Sequence, residues 1–427
     1  MKVLLRNVPL RRFILGRLIT NAGDSLYVIG TLWLVHELGG SSLYTGLAGF
    51  LVFLPGAFQF LMGPLADRWP IKRVLVGTQL VQCGMIALIP LASVLGVLNI
   101  PLVLIVVPLA GMVNQLLYPT QNRALPQLVD DDDLASANSI LSLTYEGVDA
   151  AFNAIGGLLI AMLGAVTLYV IDVVSFAAVA LIFASIPIPN ADPAKGANGS
   201  GETETTDQEA NDGYLQELDE GFGYVFGSVF GVMTVLMALV NFAYGGMIAV
   251  LPEFADVRGG AGLFGLLMGS LAAGRFVGAL LGPRFRKLKL SSVMIVGFSL
   301  GAIIWAVGIL VDWVPVALVA LGLAMIPMGI VNVLQFTFLQ THAPGSMLGR
   351  ASSISGSVSA VAVPLGALVG GIVSDLLVVD VVAVMLGVAA FRGIVALVWL
   401  IHPELRGMPA IQNVNPGRYG LRSQDQG

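Results

Sequence analysis

Ionisable side chains are rare inside the long apolar stretches of this sequence, and those present sit at helical spacings. Arg17, Asn21 and Asp24 fall at i, i+4 and i+7, which is one face of a helix. A second stripe runs through Ser139, Ser142, Glu146, Asp149, Asn153 and Gly156 in steps of three and four. Two carboxylates one turn apart in a low dielectric cannot both ionise cheaply, so Glu146 and Asp149 are expected to share a proton. Such a site loads and releases protons, or neutralises a cationic substrate. Asp24 offers the same chemistry, and Arg17 is either its tuning charge or a residue that snorkels to the membrane surface. The plainer alternative for each carboxylate is a buried group bonded to a neighbouring helix.

Other polar residues share these spacings: Asn114 with Tyr118 and Gln121, Asn241 with Tyr244, and Asn332 with Gln335. Together with Asn21, Asn153 and Arg275 they are candidates to line a substrate cavity. Arg275 could face a carboxylate or bind an anionic substrate group. The alternative for the neutral residues is polar packing between helices, typically under ~2 kcal/mol each.

Several chemistries lack their residues. No G-x-x-x-x-G-K-[ST] phosphate loop is present, so the chain is not expected to consume ATP by itself. One cysteine, Cys83, excludes an intramolecular disulfide and a Cys-rich zinc site. His36, His342 and His402 lie far apart, which argues against a histidine metal cluster. No nucleophile–base arrangement is visible. The expectation is no enzyme, no metal, no cofactor and no nucleic-acid partner.

These residues must be positioned by membrane helices. The chain has 427 residues, 56% hydrophobic and 11% charged, whereas soluble proteins carry about 25% charge. A bilayer core of ~30 Å takes about 20 apolar residues per helix. Such stretches lie near 12–36, 43–66, 73–97, 100–122, 135–163 and 166–186, then 225–251, 262–283, 291–311, 314–338, 352–377 and 382–402. Ten-residue alternating strands are absent, which excludes a membrane barrel. The fold class expected is an all-α polytopic membrane protein with 12 transmembrane helices. The first span carries Asp24 and lacks a small-residue cleavage site, so it is not read as a signal peptide.

Residues 187–220 hold nine acids, from Asp192 to Glu220, against one Lys. They read as a disordered linker between an N-terminal half at 1–186 and a C-terminal half at 221–405, with a tail at 406–427. Basic residues orient the chain. With both termini cytoplasmic, 17 of the 21 lie in cytoplasmic segments: Lys2, Arg6, Arg11, Arg12, Arg68, Lys72, Arg73, Arg123, Lys195, Arg284, Arg286, Lys287, Lys289, Arg350, Arg406, Arg418 and Arg422. Arg258 is external, while Arg17, Arg275 and Arg392 fall inside spans.

The halves repeat. Asn114–Pro126 aligns with Asn332–Pro344 at an offset of 218, Ala137–Gly157 with Ala351–Gly371 at 214, and Gly63 with Gly278 at 215. Each half has an even number of spans and begins on the same side. They are therefore parallel repeats about an axis along the membrane normal, an arrangement that places a binding site between halves and gives alternating access by rocking. Gly265/Gly269, Gly278/Gly282, Gly297/Gly301 and Gly366/Gly370 are G-x-x-x-G pairs, which permit close helix approach.

The segment from Gly63 to Arg73, GPLADRWPIKR, resembles the loop motif G-x-L-A-D-R-x-G-R-[KR] of the major facilitator superfamily, with Pro70 and Ile71 as departures. Gly23-Asp24 followed by Leu32-Trp33-Leu34-Val35, Ala124–Val129 with Ala137-Asn138-Ser139, and Gly349-Arg350 are similar to the branch of macrolide and siderophore exporters. That resemblance, over about residues 10–405, implies two six-helix repeats in the major facilitator fold. It also implies a gating loop at Gly63, Asp67, Arg68, Lys72 and Arg73, and a peripheral, structural place for Arg392. The antiporter signature Gly-Pro-x-x-Gly-Gly is represented by Phe152–Gly157, which keeps Gly-Gly without Gly-Pro. The reading is a monomeric cell-membrane transporter, surrounded by the lipid bilayer, that exports a small amphipathic or cationic molecule in exchange for protons. Uptake or uniport of a metabolite, and a non-transporting receptor or scaffold, are the alternatives.

Overall fold

The computed structural model describes residues 7–59, 62, 65, 66, 68–187 and 221–421. Within these, the side chains at 131, 132, 135, 139, 142–146, 149, 150, 153, 154, 345, 346, 416 and 418 fall outside the description. The expected linker at 187–220 lies, except for residue 187, outside the described residues, as do Gly63 and Asp67 of the expected gating loop.

A backbone in lipid must satisfy its own hydrogen bonds, and the described residues form helices without strands. They are α1 (Val8–Gly39), α2 (Ser42–Ala57), α3 (Ile71–Val94), α4 (Ile100–Asn114), α5 (Leu117–Leu128), α6 (Asp131–Leu163) and α7 (Ala165–Ala184). Then follow α8 (Val229–Phe285), α9 (Leu290–Leu310), α10 (Val314–His342), α11 (Gly345–Asp375) and α12 (Val381–Ile401). Nine helices among the described residues are long and apolar enough to cross a membrane, with Ile100–Leu128 counted as one and Ser42–Ala57 as a shorter apolar helix. The 57 residues of α8 leave helical φ/ψ at Gly259 and Gly260. Unbroken, it would run ~85 Å, well beyond one bilayer crossing. Gly260 stands at φ 68°, a left-handed conformation that favours glycine.

The chain forms two compact units, Met1–Ser200 with Ala249–Gly269 and Gly201–Ile248 with Ser270–Gly427. In the first, α1 packs on α7, α6 and α2, while α3 packs on α7 and α4. Gly16, Gly23 and Gly30 recur every seven residues and place α1 against α7. A Cβ at Gly16 would run into Phe183, one at Gly23 into the Asp172 carboxylate, and one at Gly30 would touch Leu168 at 3.4 Å. The partners descend along α7 as the glycines ascend α1, so the two helices are antiparallel. Basic residues complete the helix ends of this unit. Arg12 donates to the Ser185 carbonyl at 2.9 Å and Lys72 to the Ile186 carbonyl at 3.2 Å, just past the end of α7, where carbonyls lack helical partners. Arg123 donates to the Ala66 carbonyl at 2.8 Å.

In the second unit α9 packs on α12 and α10. Glycine again sets the spacing. A Cβ at Gly366 would strike the Phe242 carbonyl, and one at Gly278 the Ile326 carbonyl. Arg392 is 3% exposed and donates to the carbonyls of Ala324 at 3.0 Å and Gly301 at 3.4 Å. Its guanidinium lies 4.8 Å from the Trp305 ring. Pro327 stands inside α10, where it removes a backbone donor and disturbs the carbonyls one turn earlier. Arg392 bonds next to that interruption, at Ala324, and also to α9 at Gly301, so it ties α12 to both helices.

The C-terminal segment is part of this core. Leu405, Met408, Ile411, Val414, Tyr419 and Leu421 are buried with Phe338, Leu339 and Trp399. The Ser291 hydroxyl donates to the Met408 carbonyl at 3.1 Å, and the His342 ring meets the Ile411 carbonyl at 2.9 Å.

Burial of a large apolar side chain stabilises by ~1.5–3 kcal/mol, so deletion of residues 404–427 is expected to lower the melting temperature in detergent markedly. A thermal scan against the full chain checks this. Arg392→Met is expected to cost ~1–3 kcal/mol by withdrawing donors from buried carbonyls, and Arg392→Lys to cost less, measured by the same scan.

Candidate functional site

The face of α1 that carries Arg17, Asn21 and Asp24 is largely buried: Arg17 is 4% and Asn21 8% exposed, and Asp24 is half-buried. Asn114 donates from Nδ2 to Asp24 Oδ2 at 3.0 Å. Asn114 ends α4, and α5 begins three residues later at Leu117. The break follows from local hydrogen bonding. The Gln115 N–H reaches the Gly111 carbonyl at 3.2 Å and the Leu116 N–H the Val113 carbonyl at 3.2 Å, so the last turn tightens and stops. Pro108 inside α4 weakens the same helix one turn and a half earlier. The interruption is one of hydrogen bonding only: Gln115 (φ −62°, ψ −18°) and Leu116 (φ −70°, ψ −21°) keep right-handed helical dihedrals, and Ile100–Leu128 remains one apolar span, which Asp24 meets at Asn114. The Arg17 guanidinium acts electrostatically on the Asp24 carboxylate.

A second carboxylate lies across α1. Asp172 on α7 is 0% exposed and fills the space left by the missing side chain of Gly23. The Ser175 hydroxyl donates to Asp172 Oδ1 at 3.1 Å and to the Asp172 carbonyl at 2.8 Å. Asp24 Oδ1 and Asp172 Oδ2 are buried without a hydrogen-bond partner among the described residues. Because Gly23 and Asp24 are consecutive, the two carboxylates stand on adjoining faces of α1. The polar seam continues along the helix. Tyr169 and Thr31 share a hydrogen bond of 2.8 Å, and the Thr20 hydroxyl lies 3.0 Å from the Gly16 carbonyl and 3.3 Å from Gln79 Oε1. Gln79 and Gln82 on α3 are 0% and 1% exposed.

Sequence reasoning singled out neither Asp172 nor the two glutamines. The signal was available, since Asp172 is a charged residue inside an apolar stretch, and Gln79 and Gln82 stand three apart in another.

The remaining candidates distribute as follows. Glu146, Asp149 and Asn153 belong to α6, and their side chains lie outside the described residues. Tyr118 is 50% exposed on α5, one turn beyond Asn114. In the second unit Arg275 and Tyr244 come together, with the guanidinium 5.2 Å from the ring centroid. Asn241 is half-buried and Asn332 exposed. Gln335 borders a void of only about 10 Å³ among Met233, Met237, Phe298 and Trp399. Of the expected gating loop, Arg68 and Arg73 are exposed, while Lys72 is engaged at the end of α7.

Comparison with known proteins follows from this geometry. The family profile of the Major Facilitator Superfamily matches residues 13–367. The Macrolide efflux protein A of Streptococcus pyogenes is 22% identical over 377 residues, which cover 84% of this chain and 88% of that protein. The Enterobactin exporter EntS of Escherichia coli is 25% identical over 347 residues, 79% of this chain and 76% of that protein. The crystal structure of the nucleoside transporter NupG superposes with a TM-score of 0.69 at 12% identity, covering 95% of this chain and 99% of that one.

If the missing side chain of Gly23 exists to admit Asp172, the two positions must be coupled. Gly23→Ala is expected to destabilise strongly, and Gly23→Ala with Asp172→Ala to recover part of the loss. A double-mutant cycle on melting temperature checks this, with an interaction energy expected at ~1–3 kcal/mol.

Proposed function

The chain belongs to the major facilitator superfamily, and we propose that it exports a small amphipathic or cationic molecule by proton antiport with alternating access. The superfamily consists of multi-pass membrane transporters, not enzymes, and that much holds for this chain. The observation that carries the finer reading is Asp24, a carboxylate inside a membrane span that accepts a hydrogen bond from Asn114 and has its other oxygen without a partner among the described residues. An ionised carboxylate with an unsatisfied oxygen in a dry interior costs several kcal/mol, and taking up a proton relieves that cost. Glu146 and Asp149, one turn apart on α6, are proposed as the companion proton sites. Asn21, Asn114, Tyr118, Asn153, Asn241, Tyr244, Arg275, Asn332 and Gln335 are proposed to line the path of the substrate. Export is supported by the distant relatives, which are an efflux protein and an exporter.

The architecture proposed is twelve spans in two parallel six-helix repeats, 1–186 and 221–405. The break of α8 at Gly259 and Gly260 divides one long helix into two crossings, and α2 and α6 complete the set. Placing both termini in the cytoplasm puts 17 of the 21 basic residues on that side and Arg258 outside, as the positive-inside rule requires. Gly63, Asp67 and Arg68, with Lys72 and Arg73 at the start of α3, are then cytoplasmic and are proposed to latch one access state.

A panel of toxic amphipathic compounds applied to an expressing strain identifies the substrate. In proteoliposomes the wild type is expected to move that compound against a counterflow of protons. Asp24→Asn, and Glu146→Gln with Asp149→Asn, are expected to abolish proton flux. Full coupled transport by all of these variants would contradict the assignment. Flux in the inward direction only, driven by the same gradient, would favour uptake instead.

A further inference from the structure

A cavity of about 360 Å³ opens on the flank of the first unit, between α3 and the junction of α4 with α5. Its size falls in the range of ligand pockets, ~300–1,000 Å³. Arg73, Gly77 and Val81 line it from α3, Val113 and Leu116 from the other side, and Trp69 closes one end. Arg73, Gly77 and Val81 are spaced by four, so the groove runs along one face of α3 for ~12 Å.

Three features define what it holds. The surrounding face of α3 is apolar and uncovered: Leu80 is 57%, Val81 46% and Leu88 44% exposed, which is a surface for acyl chains rather than water. The one polar residue along its length, Thr78, spends its hydroxyl on the Val74 carbonyl at 2.8 Å, so the free polarity is at the Trp69–Arg73 end. Trp69 is 44% exposed there, and an indole belongs at the headgroup level. Arg73 is exposed and its guanidinium has no ion pair or hydrogen bond among the described residues, whereas the Lys72 ammonium beside it is committed to Ile186. Finally, the floor is open by sequence. An added Cβ at Gly77 would meet nothing within 4 Å, so no neighbour requires glycine at a position where it weakens the helix by ~1 kcal/mol. Its missing side chain leaves room in the groove.

We propose that this groove is a binding site for an anionic phospholipid, with one acyl chain laid along Gly77 and Val81 and the phosphate on the Arg73 guanidinium. A membrane-facing pocket with its cation at the basic end of a span suits such a headgroup. The site is separate from Asp24 and does not depend on the direction or substrate of transport.

Contact quenching of Trp69 tests it. The full-length protein is placed in nanodiscs of phosphatidylcholine titrated with phosphatidylglycerol brominated in the acyl chain. The Trp69 signal is the difference between wild type and Trp69→Phe. Quenching is expected to saturate at a mole fraction about five-fold lower than with brominated phosphatidylcholine, the preference one arginine confers. Arg73→Gln is expected to erase that preference. Gly77→Leu, whose Cβ has open space and whose longer side chain would occupy the groove, is expected to remove the saturable quenching by either lipid. Equal quenching by the two lipids in the wild type would show ordinary annular contact and overturn the proposal. Quenching unchanged in both variants would overturn it too. Reversal by millimolar inorganic phosphate would reveal a free-anion site and would also overturn it.

Discussion

Inside a bilayer core a polar group has no water to turn to, so it must find its partner within the protein. The backbone meets this requirement as helices. The side chains meet it one at a time, and each solution shapes its surroundings. Arg392 spends its donors on carbonyls of Ala324 and Gly301, which ties α12 to α10 and α9. Arg12 and Lys72 close the end of α7. Asp24 takes one hydrogen bond from Asn114 and leaves its other oxygen without one. Asp172 does the same with Ser175. The unit therefore contains two carboxylates whose needs are half met, and these are the groups for which a change of protonation matters most.

Close packing is the condition for this chemistry. Without a hydrophobic drive between helices in lipid, association relies on tight contact and internal hydrogen bonds. The glycines at 16, 23 and 30 bring α1 onto α7, and the middle one makes room for Asp172. A helix spacing and a polar site thus share one residue. In the second unit the contacts of Gly278 with Ile326 and Gly366 with Phe242 bring backbones together in the same way. These contacts lie within each unit and hold its helices together.

Much of this was legible in the sequence. Apolar length anticipated the all-helical membrane fold, with nine membrane-length helices among the described residues, and rarity of charge singled out Asp24 as a candidate. Asn114 was selected by its spacing, and the structure places it on Asp24. A structural role for Arg392 agrees with its carbonyl partners. The two-residue turn between Asn114 and Leu117 was not singled out, although Pro119, which has no amide to offer the Gln115 carbonyl, marks the spot. The heptad of glycines was hidden because its meaning lies in α7, more than 130 residues away. The packing of the C-terminal segment was also hidden. Its apolar residues, from Leu405 to Leu421, are scattered among prolines and polar residues without a helical period. The groove beside Arg73 could not be read from a sequence at all, since it is a space between elements.

Asp24, steadied by Asn114, is the group proposed to couple proton to substrate. The most direct measurement is proton release when the substrate binds to the purified protein in weakly buffered detergent, followed with a pH indicator. The account predicts that binding releases protons from the wild type and that Asp24→Asn binds the same compound with the release lost or sharply reduced. Substrate binding by the wild type with no proton released, or undiminished release from Asp24→Asn, would contradict it.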